Sequence, residues 1–124
     1  MKKLLLCLAG VLFVTGSAMA GEKKLMHCFA FTVLETATQA DWDAFYKATD
    51  ELPKKIKGVD RVWYGKLAHS LSANGAQRTF GVCMEMDNAE VRAKYGNDPA
   101  HAAWTALYDK VHVEGTTTYD ILGQ

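Results

Sequence analysis

The sequence predicts an α+β domain in which one antiparallel sheet carries its helices on a single face. Three observations lead there. Alternating apolar residues mark strands, apolar spacings of three and four mark helices, and the elements fall in the order β-α-β-β-α-α-β with no repeat, linker or low-complexity tract.

Leu25 to Leu34 alternates, with His27, Phe29, Phe31 and Val33 on one side and Cys28, Ala30, Thr32 and Leu34 on the other, which defines strand one. Thr38 with Asp41 three residues later is a capping box with Asp in place of Glu, and Trp42, Phe45, Thr49, Leu52 and Ile56 follow at helical spacing. This is helix one, kinked or ended near Pro53. Lys54, Lys55 and Lys57 before Gly58 give it a cationic last turn and a glycine C-cap. Val59 to Ala68 and Arg78 to Asp87 are β-rich runs, strands two and three, joined by a polar loop from His69 to Gln77 that holds the hairpin dipeptide Asn74-Gly75. Asn88 caps a short helix through Tyr95. After the break at Gly96 and Asn97, Asp98 caps a second with Pro99 at its first position. His101, Trp104, Tyr108 and Val111 make one stripe on that helix, joined by Leu107, with His112 on the same face as His101, and Thr116 to Leu122 supplies strand four. The order is the ferredoxin-like βαββααβ plan.

The chain has 124 residues. Lys2 and Lys3, the apolar run Leu4–Val14 and the small residues around Ala18-Met19-Ala20 read as an export signal over residues 1–20, leaving residues 21–124 as one domain beginning at Gly21. Cys7 lies inside the apolar run, where a lipidated cysteine would not. The protein is therefore expected to be periplasmic or secreted, with no membrane insertion after cleavage, since no later stretch approaches the roughly 20 apolar residues of a spanning helix. Basic and acidic residues number 14 each, and loss of Lys2 and Lys3 leaves 12 against 14, a net charge of −2. That excludes the basic footprint a nucleic-acid binder needs.

Large aromatics belong under the helices, so the face bearing His27, Phe29, Phe31 and Val33 should look inward. The opposite face, with Cys28, Ala30, Thr32, Gly81, Cys83 and Glu85, is too apolar to stay wet and suits pairing with a second copy of the chain. Strands one and three of this plan are antiparallel neighbours, so Cys28 and Cys83 could form a disulfide. A mid-strand bridge requires Cα atoms within about 7 Å and converging side chains. Cysteine is also a common small buried apolar residue, and free buried thiols are the expectation.

The sequence resembles the stress-responsive A/B barrel (Dabb) family, ferredoxin-like domains that pair sheet to sheet as dimeric α+β barrels. The resemblance runs over about residues 25 to 122. It rests on His27, Gly58-Val59, Gly65, the run Tyr95-Gly96-Asn97-Asp98-Pro99-Ala100-His101, and Tyr119-Asp120. Most members have no assigned reaction. A few plant relatives are polyketide cyclases, and the resemblance implies a tyrosine and histidine pair at Tyr95 and His101 with a further histidine at His27. Those enzymes carry another histidine early in strand three, where this chain has Phe80.

The break between the two C-terminal helices can turn Tyr95 and His101 toward the face that His27 enters, making them candidate acid/base residues. With His27, Phe29, Phe80 and Trp104 they are also the candidate ligand-binding set. A phenol is a poor base without a partner. The imidazole of His101, in the first turn of a helix, is biased toward its neutral form. The structural alternative is that Tyr95 and His101 hydrogen-bond each other or backbone to pin the helix break, and that His27 is a satisfied core histidine. His27, His69, His101 and His112 show no metal-ligand spacing, and no phosphate loop, dinucleotide fingerprint or nucleophile elbow is present, so neither metal nor cofactor is implied. Three functions stay open: a homodimer binding a small apolar molecule, a cofactor-free acid/base enzyme, and a structural or interaction dimer.

Overall fold

The structure, a computed structural model, describes residues 22–124; the expected export signal and Cys7 lie outside the described residues. Seven elements follow in the anticipated order: β1 (Leu25–Val33), α1 (Gln39–Lys55), β2 (Val59–Ala73), β3 (Ala76–Met86), α2 (Ala89–Tyr95), α3 (Pro99–Tyr108) and β4 (His112–Leu122). The strands form one sheet in the order β2-β3-β1-β4, every pair antiparallel. This is the ferredoxin-like plan, with the first and third strands central.

Alternation decides which face is dry. Phe29 and Phe31 of β1 and Phe80, Val82, Met84 and Met86 of β3 meet Phe45 and Leu52 of α1 and Trp104 and Tyr108 of α3 in one buried cluster. Each such side chain contributes roughly 1.5–3 kcal/mol on burial. The rings interlock edge to face: Phe31 stands 6.2 Å from Phe45 and 5.0 Å from Tyr108, nearly perpendicular to both.

The three helix starts are formed as their sequences dictate. Thr38 and Asp41 complete a reciprocal capping box, Asn88 accepts from the Val91 N–H, and Asp98 accepts from the Ala100 N–H with Pro99 behind it. Pro53 neither ends nor replaces the last turn of α1. There only the Thr49 carbonyl loses an N–H partner, and the Ile56 N–H still closes on the Leu52 carbonyl at 2.9 Å. Gly58 then takes a φ of +90°, and a Cβ there would meet Val91 Cγ2 at 2.5 Å, so the turn into β2 requires glycine.

Two stretches of the chain differ from the sequence expectation. The loop from His69 to Gln77 is mostly strand: β2 and β3 run out to a two-residue turn in which Asn74 and Gly75 have φ of 51° and 75°, the geometry of a type I′ hairpin. Helix α3 stops at Tyr108, so Val111 and His112 are not on its face; Val111 is buried beyond the helix, and His112 begins β4, with its ring stacked on Tyr108 at 3.7 Å.

The expectation of free thiols is overturned. Cys28 and Cys83 are joined by a disulfide, because the β1–β3 register sets them directly opposite one another with Cα atoms 4.1 Å apart. Among the described residues no helix is long and apolar enough to cross a membrane.

Candidate functional site

The site forms where the edge strand β4 and the helices α2 and α3 meet the inner face of β1. The β1–β4 register places Asp120 directly across from His27. Their side chains therefore share a face, and His27 Nδ1 lies 2.6 Å from Asp120 Oδ1. Arg92 of α2 donates its Nε–H to both oxygens of the same carboxylate at 3.0 and 3.1 Å. The result is a chain Arg92–Asp120–His27 running from the surface to the buried imidazole.

Charge and burial fix the protonation of that chain. Burial would raise the Asp120 carboxyl, but the hydrogen bonds from His27 and Arg92 outweigh it and hold Asp120 below its usual value. For His27, burial is the largest influence and takes the imidazole below its usual value despite the neighbouring carboxylate. A neutral imidazole facing a carboxylate carries its proton on Nδ1, which leaves the Nε2 lone pair as an acceptor. Nε2 has no hydrogen-bond partner among the described residues.

Tyr95 and His101 are brought beside it by the helix break. Tyr95 closes α2, His101 lies in the first turn of α3, and their rings meet edge to face with centroids 4.5 Å apart; Tyr95 also stands 5.6 Å from His27. Of the hydrogen-bonded pinning that the sequence suggested, His101 keeps a bond to the Gly96 backbone at the break and Tyr95 makes none. The Tyr95 hydroxyl is buried without a partner, and burial holds the phenol well above its usual pKa. Burial likewise lowers His101.

A cavity of about 200 Å³ lies between the sheet and α3. It is walled by Phe29, Trp104, Tyr108, Thr116 and Thr118 and bordered by His27, Tyr95 and His101. Five of the six residues anticipated for ligand binding thus come together, and Phe80 does not. Phe80 is a core residue, 5.2 Å from the Phe31 ring and 5.3 Å from that of Trp42. Asp120, Arg92 and the two threonines were not anticipated. The alternation of Thr116, Thr118 and Asp120 along β4 was readable, but their pairing with β1 was not. Among the described residues no three His, Cys, Asp or Glu side chains converge as a metal site would require.

The family model for the stress-responsive A/B barrel domain matches residues 25–121. The chain belongs to this family. No curated protein sequence matches it. Solved structures share the A/B barrel fold at low identity. A Dabb family protein from Mesorhizobium loti superimposes with a TM-score of 0.61 at 17% identity, covering 83% of this chain and 99% of that one. A dimeric ferredoxin-like protein of unknown function from Bacteroides fragilis gives 0.60 at 18% identity, covering 80% and 95%. The hydroxynitrile lyase of Passiflora edulis gives 0.66 at 10% identity, covering 82% and 94%.

In this A/B barrel protein the unpartnered Tyr95 hydroxyl has a measurable consequence. Removing a buried hydroxyl that has no partner relieves a desolvation cost, so Tyr95→Phe should leave stability unchanged or raise it by about 1 kcal/mol in urea denaturation. A loss of that size would show that the hydroxyl is bonded after all.

Proposed function

We propose that this protein is an exported homodimer that holds a small, largely apolar molecule in the cavity between sheet and helices, anchored by a hydrogen bond to His27 Nε2. The observation that carries this reading is the cavity itself, with aromatic walls and the imidazoles of His27 and His101 on its border, that of His27 held by Asp120 through Nδ1. Its volume of about 200 Å³ compares with the ~150 Å³ apolar cavity that takes up benzene in another protein. A single substituted ring carrying an O–H donor fits both size and chemistry. Export is supported by the signal-like first 20 residues and by the cystine, which oxidising compartments preserve. Pairing through the sheet face bearing Ala30, Thr32 and Gly81 is supported by Trp63, 80% exposed beside them, and by the dimeric state of the Bacteroides fragilis protein.

Calorimetry with phenol and toluene tests the anchor. Both should bind the native protein, and Thr118→Phe, which fills the cavity, should abolish both. His27→Leu should weaken phenol about fivefold relative to toluene, the equivalent of ~1 kcal/mol for one hydrogen bond. Equal losses for the two probes would remove His27 as the anchor, and binding undisturbed by Thr118→Phe would remove the cavity.

A second reading, acid/base catalysis without a cofactor, is favoured by the Arg92–Asp120–His27 chain. A carboxylate behind a neutral imidazole orients it as a general base, and the protonated Tyr95 phenol beside it can supply an acid. On this reading the protein accelerates exchange of the α-hydrogens of acetophenone for deuterium, followed by NMR in D₂O, and His27→Leu removes the acceleration. Exchange no faster than in buffer would end it.

A further inference from the structure

We propose that the Cys28–Cys83 disulfide is made in the free protomer and then sealed by pairing, so that thiol reagents reach it only after the dimer dissociates. The inference rests on the sheet-to-sheet pairing proposed above.

The two cysteines sit on the central strands of the outer sheet face. Register extends their row to both sides: Trp63 of β2 stands opposite Cys83 and Tyr119 of β4 opposite Cys28. Trp63 is 80% and Tyr119 49% exposed, so a single protomer leaves two large aromatics wet around the disulfide. Grooves of about 370 and 440 Å³, each bordered by Cys28, Cys83, Trp63 and Tyr119, lead solvent to this row, where Cys28 is buried and the half-buried Cys83 is the sulfur within reach. From the helix side the sulfurs are shut off, since the strand neighbours His27, Phe29, Val82 and Met84 are all buried. A second copy laid on the outer face covers the aromatics and closes the one approach that the fold leaves open.

The chemistry needs that approach. To form the bond, the thiolate of one cysteine attacks a sulfur of an external disulfide, releasing one external thiolate and leaving a mixed disulfide. The second cysteine thiolate then attacks the protein-side sulfur and expels the other external thiolate. Two protein thiols are oxidised, one disulfide is reduced to two thiols, and the protein's protons pass to them. The first attack requires the oxidant in contact with the outer face, as reduction requires the reductant there. Thiol–disulfide exchange with a disulfide donor must therefore precede assembly.

The test is the rate of reduction by dithiothreitol in the native full-length protein, read as alkylated thiols by mass spectrometry, with oligomeric state followed by light scattering on the same samples. The rate should fall at least tenfold as dimer replaces monomer and should lose its dependence on dithiothreitol concentration when dissociation becomes limiting. Trp63→Asp, with Tyr119→Asp as a second variant, places a charge in the paired face. Either should stay monomeric and be reduced at the monomer rate at every protein concentration. A dimer reduced as fast as the monomer, in proportion to dithiothreitol, overturns the seal and leaves pairing intact. A monomer at all concentrations overturns both, and two free thiols in protein purified without reductant overturns the seal at the outset.

Discussion

Replacing Cys28 and Cys83 together by alanine should cost about 4 kcal/mol, the chain-entropy value for a bridge that closes a 55-residue separation. For a domain near 100 residues that is a fall of roughly 15–30 °C in Tm. The fold should persist, because β1 and β3 keep their ladder from Leu25↔Met86 to Phe31↔Phe80 without the bridge. Urea denaturation of the oxidised protein, the reduced protein and the double variant measures it. The last two should fall together, and a double variant within about 1 kcal/mol of the oxidised protein would show that the bridge contributes nothing.

Trp104→Ala should be comparably severe, at about 4 kcal/mol, as expected for removal of a buried tryptophan from a close-packed cluster. Trp104 is stacked on Tyr108 at 5.0 Å, meets Phe29 edge-on at 5.7 Å, and donates its indole N–H to the Thr49 hydroxyl at 2.9 Å. Thr49 in turn donates to the Phe45 carbonyl at 2.7 Å, so the indole ties α3 to α1 through a fully buried hydroxyl. Trp104→Phe keeps most of the packing and loses the N–H, which should limit its cost to roughly 1–2 kcal/mol. The pair of variants separates core from site: if Trp104 served only as a cavity wall, both would weaken toluene while leaving the urea midpoint in place.

What the sequence disclosed follows from burial. Strand β3 was legible because its inner residues meet a core and its outer ones do not, which writes period two into Ala76–Met86, whereas β1 was legible from large inner side chains alternating with the small outer Cys28 and Ala30, buried though these are. The hairpin arm was hidden for the same reason. Ala68 to Ser72 are all exposed, so neither face imposes a pattern, and only the Asn74-Gly75 turn leaves a trace. The start of β4 was masked by exposed Val113, Glu114 and Gly115, where the pairing with β1 shifts between Phe31 and Val33 and Gly115 takes a φ of +105°.

The site was half legible. Tyr95 and His101 flank a visible helix break, and His27 alternates with the core residues of β1. The partner of His27 was out of reach, because a hydrogen bond between residues 93 apart depends on a strand register that no local spacing encodes. The disulfide was missed on the same ground: alternation put both sulfurs on the outer face, but only the register decides that Cys28 stands directly opposite Cys83 and not a pair further along the strand. The pinning role given to Tyr95 failed differently. The break between α2 and α3 is held by the Asp98 cap and by backbone bonds such as Asp98 N–H to the Tyr95 carbonyl at 3.2 Å, which leaves the phenol hydroxyl unused.

The central claim is that the cavity between sheet and α3 is a ligand site anchored at His27. Diffraction from crystals grown with 4-bromophenol tests it most directly, because bromine locates the ring by its anomalous scattering. The prediction is one bromine per protomer inside the cavity beside Phe29 and Trp104, with the phenol oxygen at hydrogen-bonding distance from His27 Nε2, about 2.6–3.2 Å. A cavity without bromine at saturating 4-bromophenol, or a ring bound there with its oxygen turned away from His27, would contradict it.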